Sequence, residues 1–442
     1  MAEQEKYLPH GTHAGEIPHV FICNKEGKRL PVGDKDLRIG DDFGARIISM
    51  KVREDIEQPC VMGEIVFKDF GKFRCGYLFN DGYDYLQVEY RGNHDADNQK
   101  ESDPQMFEII NVMAVEDGVL HGSAFDIVRL EIAQFPMYRN LLVWNISRGW
   151  KDKLISEIVK EIKTDYLDKN NRPCKCKSSC GETIEETRNK LQSFCSPHWN
   201  PLTLLKYLSN IAYNKNSYGS FFFYTDLHNT FHFKSLQSII TNARSDKLFF
   251  DSKQVRVITV EEALKDRQKI VKDFRPEVAH KEYYKTGLSG ATIEAFDWFK
   301  KKNYTYKETY SNVMSANCLK EYNNLYEKQK DIDCYYGFFA NTGFRYNKKD
   351  FDSLHAIVYN QIQTAISNQC KTQIVINGLQ NIYCGKGVDI RNYHSYNENV
   401  EELDGLWLIR GITHSFTSET APFRQTLDLC RLQNFYHNLQ EG

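Results

Sequence analysis

The 442-residue chain is too long for one hydrophobic core, and its length predicts about two to four domains. Its 41% hydrophobic and 26% charged residues are typical of a globular protein and exclude disorder over long stretches. The 57 basic and 59 acidic residues leave a net charge of -2, which excludes a surface built throughout to bind nucleic acid or anionic lipid.

No apolar run approaches the roughly 20 residues that span a bilayer, and the first residues are polar rather than signal-like. We therefore expect the chain to fold in a cytoplasm. The 12 cysteines are then expected to be mostly thiols, because reducing compartments disfavour structural disulfides.

The N-terminal half begins with a polar extension over residues 1–19 that contains His10, His13 and His19. It is interpreted as a solvated arm, with a metal-binding arm as the alternative. Residues 20–140 then contain short β-branched and aromatic runs separated by Gly, Asn and Asp clusters, which favours a small antiparallel barrel or sandwich. The predicted strands are 45–52, 63–69, 85–90, 107–115 and 123–132.

A change of pattern near residue 140 predicts an α/β domain over 141–250. Apolar residues at helical spacing predict a helix over 154–162, with Asp152 in its first turn. A second helix is better marked, since Asn200 is a natural N-cap and Pro201 fits the first helical position. The aromatic runs 219–224 and 230–233 flank turn residues and predict a hairpin, so we expect one sheet covered by helices.

Strand-like sequence returns after residue 250 and predicts a second β-barrel domain, formed by 251–290 and 351–437. Residues 291–350 are rich in Lys, Asn and Tyr and are interpreted as an insertion with helical or irregular character. The predicted fold class is therefore mostly β with α/β parts: two small antiparallel β-barrel domains separated by an α/β layer. The predicted elements are strands 255–260, 372–378 and 388–390, a helix over 353–364, a turn at 385–387, and a closing hairpin of 405–416 with 423–429.

Four passages together resemble the baseplate hub family of contractile-tailed phages, which is related to the hub part of the VgrG spike proteins of type VI secretion. The most specific is an Asn-Pro pair, a helix and an aromatic hairpin. The resembling passages are 54–69 with 84–90, 145–150 leading into 154–162, 200–208 with the hairpin up to 236, and 372–431.

The resemblance implies a structural protein rather than an enzyme. It implies a homotrimeric ring that adapts a sixfold tail tube to a threefold central spike and leaves a channel for the genome. The implied partners are the spike protein, tail tube or tube-initiator proteins, baseplate wedge proteins, and DNA that passes without sequence-specific binding. The implied location is the virion tail baseplate, assembled in the host cytoplasm. The alternatives are a tail-associated cell-wall hydrolase and the hub of a type VI-like injection machine.

One cluster of thiols is a candidate for a different chemistry, namely a structural zinc site or an iron–sulfur cluster, although we predict no cofactor. Its spacing differs from a paired C-x-x-C arrangement, so the alternative is a Lys-rich surface loop in which Cys195 packs as a small hydrophobic residue. The candidate ligands are Cys174, Cys176, Cys180, Cys195 and His198.

Motifs of enzymes are absent from the sequence: it has no glycine-rich phosphate loop, no His-Glu-x-x-His and no Gly-x-Ser-x-Gly. Glu261 and Glu262 suit a glycosidase pair by residue type, but adjacent carboxylates are more often solvated or placed at a helix start. His228 and His232 in the aromatic hairpin are interpreted as packed or exposed rather than as ligands. We therefore predict no catalytic and no cofactor-binding residues.

Overall fold

A computed structural model gives the structure of the chain. It describes residues 19–24, 26–29, 46–69, 85–89, 105–120, 123–143, 145–167, 181–188, 190–214, 221–245, 247–251, 273–278, 290–297, 301–309, 334–336, 370–377, 382–391, 405–417 and 421–430. Within these ranges, no helix is long and apolar enough to cross a membrane.

The described residues of the N-terminal part form six strands, and the five strands predicted there are confirmed. Inward positions in β2 alternate with polar outward ones, so Met50 and Val52 are buried on either side of the exposed Lys51. The strands are β1 (His19–Cys23), β2 (Ile47–Asp55), β3 (Met62–Asp69), β4 (Tyr85–Glu89), β5 (Gln105–Leu120) and β6 (Ser123–Ala133).

Helices and short strands follow and form the α/β part, in which β8, β10 and β11 make one sheet and β7 pairs with β9. The π-helical turn Lys163–Leu167 continues α2. The elements are α1 (Phe135–Leu142), β7 (Gly149–Leu154), α2 (Ile155–Ile162), β8 (Glu182–Ile184), β9 (Lys190–Cys195), α3 (Pro201–Ile211), β10 (Phe221–Thr225), β11 (Phe231–Ser235) and α4 (Leu236–Ser245).

The start of α3 is as predicted: the Asn200 side chain accepts a hydrogen bond of 2.9 Å from the Thr203 amide, and Pro201 is the first helical residue. The start of α2 corrects one expectation. Asp152 lies in β7 with a φ of 53°, outside the helix. The acidic residue in the first turn of α2 is Glu157, whose carboxylate accepts a 2.8 Å hydrogen bond from the Leu154 amide.

The C-terminal part is again β, and the closing hairpin is confirmed as the antiparallel pair β19–β20. Leu427 and Leu429 are buried while Asp428 between them is partly exposed, which is the alternation that the sequence predicts. The strands are β12 (Lys247–Asp251), β13 (Asp273–Val278), β14 (Gly290–Asp297), β15 (Lys302–Thr309), β16 (Cys334–Tyr336), β17 (Cys370–Asn377), β18 (Gly387–Arg391), β19 (Gly405–Thr417) and β20 (Ala421–Cys430).

Among the described residues, one sheet of 12 strands contains both β parts. Its order is β1-β4-β5-β6-β3-β2-β19-β20-β17-β13, with β18 pairing β19 and β12. The antiparallel pair β2–β19 joins the N-terminal and C-terminal halves. Each half has its own hydrophobic core, and the predicted fold class, mostly β with α/β parts, is confirmed.

The stretch 291–350 differs from expectation where it is described. Its described residues form a separate three-stranded sheet in the order β15-β14-β16, so the helical character that we expected is not found in them. The predicted strand 255–260 and helix 353–364 lie outside the described residues.

Candidate functional site

The aromatic hairpin β10–β11 lies where the two halves of the main sheet meet. Leu227, at its turn, belongs to the hydrophobic core of the N-terminal half. Phe222 and Tyr224, on one face of β10, belong to the core of the C-terminal half. Phe221 and Phe223 point to the opposite face and pack on Phe233 and Phe231 of β11. The hairpin therefore contributes to both cores, which makes this junction the candidate functional site.

Glu54 of β2 is the central residue of the junction and has no solvent exposure. One carboxylate oxygen, Oε2, accepts a 3.0 Å hydrogen bond from the Leu227 amide, and Oε1 lies 3.3 Å from Nε2 of His414 in β19. The Gln425 amide of β20 lies 3.2 Å from Nδ1 of His414. With Gln425 donating, Nδ1 accepts and Nε2 carries the proton that is donated to Glu54. Glu54 thus connects both sheet halves with the hairpin.

Asp226 at the hairpin turn is the second buried carboxylate. Its Oδ1 accepts a 2.9 Å hydrogen bond from the Thr230 amide, and its Oδ2 lies 2.9 Å from Nε2 of His232, whose ring stacks on Tyr224. Burial acts to raise the pKa of Asp226, but the hydrogen bond and electrostatic interaction with His232 outweigh it and the pKa is lowered. The turn is therefore held by an ionised carboxylate.

Gln134 fixes the hairpin turn to the edge of the N-terminal half. This residue precedes α1 and is almost fully buried. Its amide group donates a 2.7 Å hydrogen bond to the Asp226 carbonyl, while its Oε1 accepts one of 2.5 Å from the Thr225 hydroxyl. The Val61 amide also lies 3.4 Å from the same oxygen. Both the NH2 donor and the oxygen acceptor of the Gln134 side chain thus have hydrogen-bond partners, as a buried amide requires.

The interior of the junction is shielded from solvent, as the burial of Tyr224 and Cys384 shows. Burial, reinforced by neighbouring acidic groups, raises the pKa of the Tyr224 hydroxyl and the Cys384 thiol well above their usual values. Glu54 and Asp226 are both among the charges that act on these two groups. The carboxylates of Glu54 and Asp226 accept hydrogen bonds from neighbouring groups of the same chain. The arrangement therefore positions the strands and the hairpin instead of presenting an acid and a base to a substrate.

A second set of contacts holds α3 against the β2–β3 turn. The Lys206 ammonium donates a 2.9 Å hydrogen bond to the Glu57 carbonyl, and the Glu57 carboxylate forms an ion pair with Arg410 of β19. Burial lowers the pKa of Lys206 despite the nearby carboxylates of Glu57 and Asp55. Partly buried charged groups therefore connect helix α3, the β2–β3 turn and strand β19.

Of the described residues singled out in the sequence, His232 lies in the junction and the others lie outside its buried interior. His232 is buried against Asp226, and His228 is exposed. Cys195 is an exposed thiol at the end of β9, so the expectation that it packs as a small hydrophobic residue is wrong, and His198 follows with a φ of 59°. In the part of the chain that the structure describes, no three His, Cys, Asp or Glu side chains are grouped to hold a metal. Outside the described residues lie Cys174, Cys176, Cys180, Glu261 and Glu262.

The junction residues were missed from the sequence, although a signal exists. Glu54 continues the inward period of Met50 and Val52 in β2, and His414 lies between the inward-facing Ile412 and Phe416 in β19. A charged or imidazole group at a core position of a strand requires a buried partner. That pattern identifies the residues that need partners, but not which partners they find.

Known proteins resemble this chain in fold but not in sequence. No family model matches the chain, and no curated protein matches it. Among solved structures, a tail protein from Neisseria meningitidis matches with a TM-score of 0.56 at 9% identity, covering 94% of this chain and 97% of that one. The 43 kDa tail protein of prophage MuSo2 from Shewanella oneidensis matches with a TM-score of 0.54 at 10% identity, covering 94% and 99%. The chain has the fold of phage tail proteins.

A type VI secretion component from E. coli, described as structurally similar to bacteriophage T4 tail proteins, matches with a TM-score of 0.45 at 11% identity. It covers 88% of this chain and 75% of its own. The resemblance to the hub family that the sequence carries is thus confirmed at the level of the fold, through the two tail proteins with the higher TM-scores.

Proposed function

We propose that the protein is the structural hub of a contractile-tail baseplate. In this role three copies form a ring that joins a sixfold tail tube to a threefold central spike and leaves a channel for the genome. The observation that carries the proposal is the tail-protein fold, which extends over 94% of the chain and nearly the whole length of both tail proteins.

The division of the main sheet supports the symmetry-matching part of the proposal. Each chain supplies two β halves, each with its own core, joined at the β2–β19 pair. Three chains then supply six β halves, so a threefold ring presents six similar units to a sixfold neighbour. For such a match the two halves must keep a fixed relative orientation, and the buried contacts of Glu54, His414 and Asp226 supply that restraint.

The proposed partners follow from this role. They are two further copies of the chain, the central spike, tail tube or tube-initiator proteins and baseplate wedge proteins, in the tail of a virion assembled in the host cytoplasm. The near-balanced charge, with a net value of -2, suits a protein through which DNA passes without being bound tightly. The protein acts mechanically and is not an enzyme.

The mass of the purified protein in solution tests the proposal. A trimer has three times the 51.6 kDa of one chain, about 155 kDa. Static light scattering at micromolar concentration is expected to give this mass, either alone or after addition of the cognate spike protein. A monomer under both conditions would contradict the ring.

A peptidoglycan assay tests the rival from the enzyme class. The hub proposal predicts no release of soluble fragments from purified peptidoglycan. Release that is abolished by a single Asp or Glu substitution, in a protein that still folds, would identify a cell-wall hydrolase instead.

A further inference from the structure

Helix α1 turns an apolar face toward solvent. Among the residues whose exposure the structure describes, its last two, Leu141 and Leu142, are the exposed large hydrophobic side chains, at 44% and 55%. At about 100° per residue, Phe135 and Tyr138 lie on the same side of the helix, and both are partly exposed. We call these four side chains the α1 patch.

The opposite side of α1 is buried and carries a polar anchor. Pro136 and Asn140 face the protein, and the side-chain oxygen of Asn140 accepts a 2.9 Å hydrogen bond from the Leu202 amide at the start of α3. Nε of Arg139 lies 3.4 Å from the Tyr166 carbonyl oxygen. A surface helix ordinarily buries its apolar side, whereas α1 holds to its own chain partly through polar groups and exposes apolar ones. The α1 patch is therefore an interaction surface.

The sequence after β20 contains a matching apolar stripe. Residues 431–442 lie outside the described residues, and in their sequence Leu432, Phe435, Tyr436 and Leu439 recur at i, i+3, i+4 and i+7 with polar residues between them. This spacing predicts an amphipathic helix. A helix of about 10 residues is marginal in water by itself, so its apolar side needs a surface to pack against. We call residues 431–442 the C-terminal segment.

The distance within one chain does not suit a contact between the two. β20 ends at Cys430, and four strand spacings along the order β6-β3-β2-β19-β20 separate it from β6, which leads into α1. At about 4.8 Å per spacing, this separation is about 19 Å along the sheet. Leu432, two residues after Cys430, reaches at most about 7 Å from it. The whole stripe therefore fits the α1 patch of another copy better than that of its own chain.

We propose that the C-terminal segment of one copy packs on the α1 patch of the next copy around the ring. A closed ring of identical chains uses heterologous contacts, in which one surface of a copy meets a different surface of its neighbour. An exposed apolar helix face and a short amphipathic helix are a complementary pair of this kind. The inference rests on the proposed hub role, because it needs several copies in one ring.

Photo-cross-linking of the full chain tests the contact. The photoreactive group is introduced as Phe435→p-benzoylphenylalanine, and the protein is irradiated with and without the spike protein. The expected product joins two chains, with twice the 51.6 kDa of one chain, and its cross-linked peptide contains residues 135–142. Asn434→p-benzoylphenylalanine, on the polar side of the predicted helix, is the matched control and is expected to give little of this product.

Changes in the α1 patch complete the test. Leu141→Gln combined with Leu142→Gln is expected to lower the yield of the cross-link about tenfold or more, because the segment loses two apolar contacts. The fold is expected to stay intact, since both side chains already lie at the surface. Ser147→Gln, at an exposed position shortly after α1, is the matched control and is expected to leave the yield unchanged.

Three results would overturn the proposal: no cross-link between chains, a cross-link confined to single chains, or a yield that the leucine changes leave unaltered. Light scattering of the same samples separates this proposal from the hub proposal. A trimer without the cross-link contradicts the contact alone, whereas chains that stay monomeric even with the spike protein contradict the ring as well.

Discussion

Replacement of Glu54 tests whether the buried junction holds the two sheet halves and the hairpin together. Glu54→Ala leaves the Leu227 amide and Nε2 of His414 without an acceptor, and each unsatisfied buried donor costs about 1–3 kcal/mol. Because two buried donors lose their acceptor, the total cost is expected to be about 2–6 kcal/mol. Glu54→Gln keeps the shape and one acceptor, and we expect it to cost about half as much as Glu54→Ala.

The matched control is Glu64→Ala on the neighbouring strand β3. Glu64 pairs with Arg129 at 3.2 Å, but both side chains are about 40% exposed, so its loss is expected to cost about 0–1 kcal/mol. Because a chain of this size need not unfold in two states, amide hydrogen exchange at Leu227 and in β19 is the informative assay, with urea denaturation beside it. Exchange in Glu54→Ala that is no faster than in Glu64→Ala would refute the role of Glu54.

Four further outcomes are expected. Asp226 has a folded-state pKa below its unfolded value of about 3.9. Its contribution to stability is therefore present above that pH and is lost as the pH falls through the folded-state pKa. Below about pH 4, the free energy of unfolding of Asp226→Asn should depend less steeply on pH than that of the unsubstituted protein. Gly387→Ala places a Cβ in steric conflict with the Ala243 carbonyl oxygen and should lower the free energy of unfolding by about 1–3 kcal/mol or more. Gly149→Ala, whose nearest neighbour is 3.5 Å away, should lower it by less than about 1 kcal/mol in the same thermal and urea unfolding measurements. Asn200→Ala removes the cap of α3 and should cost about 1 kcal/mol, while Asn200→Ser should restore most of it; equal effects of the two variants would contradict the capping role. The thiol cluster at 174–180 with Cys195 and His198 stays an untested candidate: elemental analysis of the purified protein is expected to give no bound metal, as a surface loop predicts, and stoichiometric zinc or iron that a chelator removes would instead establish a structural metal site.

Local signals predicted the elements whose residues decide their own conformation. The Asn200–Pro201 pair starts α3 because a side-chain acceptor and a fixed φ act within one turn. The closing hairpin is predicted by alternation, which needs only one strand and its own buried face. Asp152 was wrongly assigned to the first turn of α2. By residue type alone, an acidic residue just before an apolar helical period fits either the first turn or the segment before the helix. The left-handed φ of Asp152 in the structure excludes the first turn.

The junction could not be predicted in the same way. Glu54 and His414 are 360 positions apart, and nothing local to either residue identifies the other. The strand pair β2–β19 is equally non-local, so separate barrels and one continuous sheet produce the same alternation in each strand. Gly411 gives a local indication of a bulge or close approach within β19. The ion pairs that Arg53 forms with Asp55 and Asp428 close beside this glycine, combine β2 with β20, and follow only from the assembled sheet.

Cryo-electron microscopy of the purified assembly, viewed along its axis, tests the central claim most directly. The hub proposal predicts a threefold ring of about 155 kDa, three chains of 51.6 kDa, with six β lobes around an open channel. Two lobes are expected from each chain, joined at the β2–β19 pair. A ring with a closed centre, a different symmetry, or particles that remain single chains with and without the spike protein would contradict the proposal.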